Sequence, residues 1–210
     1  MIKKRTVILV GVISMVILAL CVSSAVFAYG ITRKQWEGPA TRVFAKVTGF
    51  PAGRVADEKA TFTDYLGQID AQRIYLKTED ARSRQLPSDL TPQTREAAYN
   101  QIIQIAALDQ LAEEYQVSIT QMDIDRAFDD FVAQSGTSTQ PGEIDAFLQE
   151  SFGWDRDDFK RFFIRPGVLS QALREKMPGA TEEEKGVALG TKLDERLLKE
   201  DVKKYLIISQ

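Results

Sequence analysis

The residues of this chain that could perform chemistry are mainly carboxylates, grouped in two strings. The first string consists of Asp123, Asp125, Asp129 and Asp130. The second consists of Asp155, Asp157 and Asp158. The chain has no histidine, and its one cysteine, Cys21, lies in an apolar run near the N-terminus. Histidine triads, histidine–metal sites, thiol nucleophiles and cysteine–zinc sites are therefore excluded.

The first string suggests a calcium loop, but its spacing is unsuitable. An EF-hand loop that began at Asp123 would need an oxygen ligand, a glycine and a glutamate at the positions held by Ala127, Phe128 and Gln134. All three positions fail. The string is typical of a solvated helix face, and we predict no metal site there.

The second string has two interpretations, a carboxylate pair for hydrolysis or the capped start of a helix. Negative charge in a first helical turn complements the helix dipole, which favours capping. Neither a G-x-G-x-x-G loop nor a P-loop pattern occurs elsewhere. We therefore predict no catalytic residue and no cofactor.

Aromatic residues are concentrated in one short stretch of the sequence. They are Phe128, Phe131, Phe147, Phe152, Trp154, Phe159, Phe162 and Phe163. Helical spacing predicts that most of them are core. A domain of this size cannot bury every ring, so the others are expected to line an exposed apolar groove, which on a monomer usually indicates binding. These eight residues are the candidate polypeptide-binding residues.

The elements that must position these rings are helices with legible start signals. Capping residues or an early proline mark six starts, at Thr61, Thr91-Pro92, Thr120, Pro141, Asp155 and Thr181. The second helix is apolar on several faces, as a central buried helix should be. Pro166 lies inside the fifth and predicts a kink. The apolar end, Tyr205 to Ile208, could be a last helical turn or an isolated strand.

The N-terminal thirty residues predict a membrane segment. Lys3, Lys4 and Arg5 precede an uncharged run to Thr32, and a membrane-spanning helix needs about 20 apolar residues. The basic cluster predicts a cytoplasmic N-terminus. Two alternatives remain: an uncleaved anchor, favoured by the length of the run, and a signal peptide cleaved near Val26-Phe27-Ala28. Cys21 is interpreted as a small apolar residue of the span rather than a lipidation site.

Composition limits the remainder of the chain to one domain. Fewer than 180 residues follow the span, enough for one core and not for two large ones. No cysteine follows Cys21, so disulfides cannot stabilise this part. From Thr61 onward 18 Lys and Arg face 27 Asp and Glu. An acidic body without a basic stripe argues against nucleic acid as a partner.

The predicted fold class is all-α, an N-terminal transmembrane helix followed by a compact multi-helix extracytoplasmic domain. The predicted segments are a signal anchor over 1–30, a linker with one short strand at Val43 to Val47 over 31–60, and a helical domain over 61–210. Glycines and prolines spaced too closely for a long helix indicate the linker.

The order of features in the helical domain resembles a known family. The residues that carry the resemblance are 61–66 (TFTDYL), 101–108 (QIIQIAAL), 112–120 (AEEYQVSIT), 123–125 (DID), 153–159 (GWDRDDF), 165–169 (RPGVL) and 173–177 (LREKM). Together they resemble the N-terminal chaperone domain of the SurA, PrsA and PpiD group of extracytoplasmic folding factors. The similarity covers about residues 61–177, with a further C-terminal helix over 181–206.

The resemblance implies residence in the bacterial envelope and weak binding of unfolded exported polypeptides. Many relatives continue into a parvulin prolyl isomerase domain with histidines and a glycine-rich stretch, which this chain lacks, so isomerase activity is not carried over. We expect a membrane-tethered chaperone-like protein without catalysis. The alternatives are an adaptor that binds one envelope partner and a degenerate prolyl isomerase. The expected location is the cell membrane as a single-pass protein, or the periplasm after cleavage.

Overall fold

A computed structural model describes the chain except residues 1–17, 19–20, 135–140, 199–201 and 208–210. The helices are α1 (residues 21–34), α2 (Pro39–Thr48), α3 (Phe62–Tyr75), α4 (Glu79–Ser83), α5 (Pro92–Glu114), α6 (Gln121–Gln134), α7 (Pro141–Phe152), α8 (Arg156–Phe159), α9 (Arg165–Arg174) and α10 (Glu182–Leu198). The strands are β1 (Pro51–Val55), β2 (Glu58–Thr61) and β3 (Val202–Lys204). A π-helical turn, Lys160–Ile164, joins α8 to α9.

Several predicted helix starts are confirmed by their capping hydrogen bonds. The Thr61 hydroxyl accepts from the Asp64 N–H at 3.1 Å, and Thr91 forms a reciprocal capping box with Thr94. Asp155 caps α8 by accepting from the Asp158 N–H at 2.8 Å. Each cap satisfies a donor that the first helical turn leaves without a partner.

The prediction of an all-α domain is wrong, because the three strands form an antiparallel sheet of order β2-β1-β3. β1 and β2 make a hairpin in which Val55 is paired with Glu58. On its other side β1 pairs with β3 from the end of the chain, with Val55 opposite Val202. The partner of the C-terminal strand is thus about 150 residues away in sequence, too far for a local pattern to indicate it.

The segment over 31–60 is folded rather than a linker. The expected strand at Val43 to Val47 lies inside α2, which ends at Gly49 in the left-handed conformation at φ 58°. The closely spaced breakers therefore bound a short helix and a hairpin instead of a tether. Ala45, Ala52 and Val55 are completely buried, so this segment supplies part of the core.

The predictions of a transmembrane anchor over 1–30 and of a single-pass membrane protein are corrected by the structure. Much of that segment lies outside the described residues. In the part of the chain that is described, no helix is both long enough and apolar enough to cross a membrane. The described end of the segment contacts the domain, since the Phe27 ring stacks on Phe44 at 4.9 Å, and Ile31, which directly follows the segment, is completely buried.

Helix α5 is central, as its apolar faces predict. One face packs with α3 beneath the sheet, where Phe62, Tyr65 and Tyr99 are buried; we call this region the sheet core. Its C-terminal half packs with α9 and α10 around Leu111 and Leu173. A third cluster joins α6, α7 and α8. These three clusters fix the positions of the aromatic residues and of the clefts beside them.

Five charged side chains attach α2 and the residues before it to α3 and α5. We call them the arginine clamp: Arg42, Asp70, Arg73, Glu37 and Arg95. Asp70 accepts from Arg42 at 2.6 and 3.0 Å and from Arg73 at 2.9 Å. Glu37 accepts from Arg73 at 2.7 Å and from Arg95. The clamp stabilises the N-terminal part of the fold by charge-assisted hydrogen bonds.

Candidate functional site

The eight candidate aromatic residues are brought together by three consecutive helical segments. α6 supplies Phe128 and Phe131, and α7 supplies Phe147 and Phe152. Gly153 then reverses the chain at φ 66°. Trp154 follows in the turn, and the last three phenylalanines belong to α8 and the π-helical turn.

All eight rings belong to one connected network, which we call the aromatic cluster. The centroid distances are Phe147–Phe152 6.1 Å, Phe152–Trp154 5.2 Å, Trp154–Phe162 5.5 Å, Trp154–Phe159 6.5 Å, Phe128–Phe159 6.2 Å, Phe131–Phe159 5.2 Å, Phe131–Phe163 5.9 Å and Phe159–Phe163 5.0 Å. These distances are typical of favourable aromatic pairs. The network reaches α3 through the stack of Tyr75 on Phe152 at 6.1 Å.

The cluster has a buried middle and exposed ends. Phe128, Phe159 and Phe162 are buried, whereas Phe152 and Trp154 are partly buried. Phe131, Phe147 and Phe163 are exposed by 37%, 54% and 56% respectively. Phe131 and Phe163 contact each other, so one end of the cluster presents two adjacent rings to solvent. The other end presents Phe147.

Phe162 and Phe163 are consecutive residues of the π-helical turn, which lies just before Pro166. Pro166 has no N–H to donate, and its ring crowds the preceding turn of a regular helix. The chain widens just before it, and the Arg165 N–H donates to the Lys160 carbonyl five residues back. The fifth predicted helix is thus divided into α8, the π-helical turn and α9, with Pro166 in the first turn of α9. Phe162 faces inward from the π-helical turn and Phe163 faces outward.

Cations frame the buried rings. The Lys160 ammonium lies 4.9 Å from the Phe128 ring centroid and donates to Asp125 at 2.7 Å. The Arg161 guanidinium lies 5.4 Å from the Phe162 ring centroid. Cations over ring faces are attracted by the ring quadrupole. The cluster is therefore held in place from the polar side and is not a loose apolar patch.

A series of clefts surrounds Arg161 and Arg165, which lie one turn apart on the π-helical turn and α9. The first cleft, about 370 Å³, separates this segment from β2 and α5. A second, about 500 Å³, continues past Asp109. Arg165 donates to Asp109 at 2.7 and 3.2 Å, and Arg161 pairs with Asp64. Sequence reasoning missed both arginines, although their four-residue spacing beside Pro166 could have indicated a shared face.

The two carboxylate strings have structural partners. Asp123 accepts from the Thr120 N–H at 2.8 Å and from its hydroxyl at 2.7 Å, and these hydrogen bonds lower its pKa. Asp125 binds Lys160. Burial, together with the charge of Asp155, raises the pKa of Asp158. Asp123 and Asp155 thus act at helix starts and Asp125 in an ion pair, whereas Asp129 and Asp130 are exposed on α6.

Comparisons with family models, with curated proteins and with solved structures give no match. The similarity to the SurA, PrsA and PpiD group therefore stays a prediction from the sequence. The arguments for function rest on the aromatic cluster and on the clefts around Arg161 and Arg165.

Proposed function

We propose that this protein is a chaperone-like module that holds unfolded polypeptide on the exposed rings of the aromatic cluster, without catalysis. The observation that supports it is the pair Phe131 and Phe163, two large adjacent rings left in solvent by a domain that buries its other clusters. Phe131 and Phe163 are 37% and 56% exposed, so each forgoes part of the roughly 1.5–3 kcal/mol that complete burial of a phenylalanine contributes. Exposed apolar surface of this kind usually indicates a binding site.

The arrangement suits weak and unselective binding. The buried ring of Phe159 contacts both Phe131 and Phe163 and restricts their positions, so that little side-chain entropy is lost when a client binds. The ring faces offer contacts without directional hydrogen bonds, which favours many apolar sequences over one. The acidic body, with 18 basic and 27 acidic residues from Thr61 onward, would keep a client complex soluble.

A holding assay tests this function. The full chain is added in stoichiometric amount to several chemically denatured client proteins, and light scattering follows their aggregation. We expect suppression of aggregation, and we expect the Phe131→Ser/Phe163→Ser variant to lose most of it. The matched control is Val47→Ser/Val187→Ser, which removes side chains 80% and 67% exposed outside the cluster.

Three results would overturn the proposal: no suppression across all clients, equal suppression by both double variants, or suppression of a single client only. The last would favour an adaptor that binds one partner. Circular dichroism of each variant shows whether the fold is retained. If Phe131→Ser/Phe163→Ser has native helicity and still suppresses aggregation, the aromatic cluster is not the binding site.

A further inference from the structure

β2 lies at one edge of the sheet, because β1 is paired on both sides. The Phe62 N–H donates to the Phe50 carbonyl at 2.7 Å, toward the β1 side. Backbone groups alternate in direction along an antiparallel strand. The N–H and C=O of Lys59 and the N–H of Thr61 therefore point away from β1. A strand edge of this kind is a template for pairing with another extended chain.

The first cleft follows this edge. Lys59, Ala60 and Thr61 all line it, although consecutive side chains of a strand point to opposite faces. A cleft lined by three consecutive strand residues must run beside the backbone rather than over one face. Its floor is Ile102, Ile105 and Ala106 of α5.

The opposite wall of the cleft is polar but electrostatically satisfied. It contains Phe162 and the two arginines described above, Arg161 paired with Asp64 and Arg165 paired with Asp109. These ion pairs attach the wall to α3 and α5. The cleft therefore has one hydrogen-bonding side, one apolar floor and one wall of paired charges.

The charged residues that line the adjoining cleft indicate the charge of a ligand that would bind there. Glu58, Glu113 and Asp109 line it together with Arg165. Three carboxylates face one guanidinium, which already binds Asp109, so the local charge is negative. Glu58 belongs to β2 itself and directly precedes Lys59. A chain that paired with β2 and extended into this cleft would bring its next side chains to the acidic end.

We propose that the edge of β2, which no other strand of the described residues pairs with on the side away from β1, binds an extended peptide segment by strand addition, with a basic side chain of the peptide at Glu58 and Glu113. Backbone hydrogen bonds to Lys59 and Thr61 supply affinity, and small apolar side chains lie on Ile102 and Ala106. Such main-chain recognition with pockets for alternate side chains is an established mode of peptide binding. The surface is distinct from the exposed rings of Phe131 and Phe163, so the two proposals can fail separately.

The probe is a fluorescein-labelled peptide, Gly-Thr-Val-Thr-Val-Lys amide, titrated with the full chain and followed by fluorescence anisotropy. Two comparison peptides carry either N-methyl groups on alternate backbone nitrogens or glutamate in place of lysine. We expect the N-methylated peptide to bind about tenfold more weakly, because it loses backbone hydrogen bonds to the edge of β2. The glutamate peptide should also bind more weakly, because it meets Glu58 and Glu113.

Protein variants locate the site. Lys59→Pro removes the outward N–H, and proline is tolerated on edge strands. Lys59→Thr also removes the lysine side chain but keeps the N–H, and it is the control. We expect Lys59→Pro to weaken binding of the first peptide and Lys59→Thr to retain it. In a ¹⁵N-labelled protein, the amide resonances of Lys59 and Thr61 should shift on titration.

The peptide comparison needs no folded variant, so it decides the proposal even if Lys59→Pro does not fold. Equal binding of the N-methylated peptide would overturn it, as would resonance shifts confined to Phe131 and Phe163. A dimer in sedimentation equilibrium that Lys59→Pro dissociates would show that a second copy of β2 occupies the edge, which also overturns it. Loss of client holding in Phe131→Ser/Phe163→Ser with peptide binding unchanged would separate this site from the proposed function.

Discussion

The sheet core and the aromatic cluster use the same residue types in opposite ways. Beneath the sheet, Phe62 and Tyr65 are completely buried, and Tyr99 is 2% exposed. In the aromatic cluster, the rings form a larger connected network, yet Phe147 and Phe163 remain more than half exposed. Both regions have ordered rings at normal contact distances. The difference is therefore in whether a second layer covers the rings.

The covering layers explain the difference. α2, α3, α5 and the sheet enclose the sheet core from several sides, and the arginine clamp closes the gap between α2 and α3. α6 and α7 have contacts with the rest of the domain mainly through the π-helical turn, α9 and α3. The sheet core thus resembles the interior of a domain. The aromatic cluster, which is covered incompletely, resembles one side of a protein–protein interface. Each experiment below tests one side of that contrast.

The largest loss of stability is expected for Phe62→Ala. Its ring is completely buried and lies 5.7 Å from Tyr65. Truncation of a buried phenylalanine costs about 3–5 kcal/mol, because burial is lost and a cavity remains. The free energy of unfolding in urea measures it. A cost near that of a surface substitution would show that the sheet core relaxes around the deletion and is not closely packed.

Glu37→Gln should have the next largest effect and should change the pH dependence of stability. Burial alone would raise the pKa of Glu37, but hydrogen bonds from Arg95 and Arg73 and their charges outweigh it and lower the pKa below 4.5. A depressed carboxyl pKa stabilises the fold above the unfolded value, and this contribution is lost as the pH falls through the folded pKa. Glutamine does not titrate, so the Glu37→Gln variant does not lose this contribution as the pH falls.

We expect Glu37→Gln to cost about 1–3 kcal/mol at pH 7, since Arg95 then loses its carboxylate partner in the clamp and Arg73 keeps only Asp70. Denaturant midpoints of both proteins between pH 7 and pH 3 measure the difference. The difference in midpoint between the two proteins should narrow as the pH falls below 4.5. A constant difference over this range would mean that the charge of Glu37 contributes nothing and that only its shape matters.

Gly153→Ala should cost about 1–2 kcal/mol and should act at the junction of the two regions. The position has φ 66°, and a Cβ there would lie 2.3 Å from Ile74 Cδ1 of α3. The matched control is Gly186→Ala in α10, where nothing lies within 4 Å and alanine should stabilise the helix. Thermal unfolding measures both. Equal midpoints for the two variants would contradict a close approach of α7 to α3.

Local patterns in the sequence predicted the features that depend on residues close together in the chain. Thr61, Thr91 and Asp155 were identifiable as caps because a cap needs only residues three positions apart, and α5 as central because its apolar residues surround the helix. The sheet was missed because β1 pairs with β3 from the far end of the chain, and the hairpin contains the Gly53 and Pro51 that suggested a linker. The apolar N-terminal run predicted a membrane span from hydropathy alone, whereas the burial of Ile31 depends on tertiary packing.

The aromatic cluster shows the same limit at the site. The sequence predicted that these rings would gather and that some would stay exposed, since helical spacing and domain size both bear on that. It could not assign which, because the burial of Phe162 and the exposure of Phe163 depend on which neighbouring elements cover each ring. The cleft along β2 was beyond prediction, as it exists only once the hairpin, α5 and Arg165 are assembled.

The smallest effect is expected for Phe163→Ala, and it gives the most direct test of the contrast. Its ring is 56% exposed and stacks on Phe159 at 5.0 Å. Truncation should remove that stack and little else, at a cost of about 0.5–1 kcal/mol in urea unfolding. The same residue type at Phe62 should cost several times more. A loss at Phe163 as large as at Phe62 would mean that its ring supports the buried middle of the cluster, and the exposed rings would then be explained by stability without any need for a client.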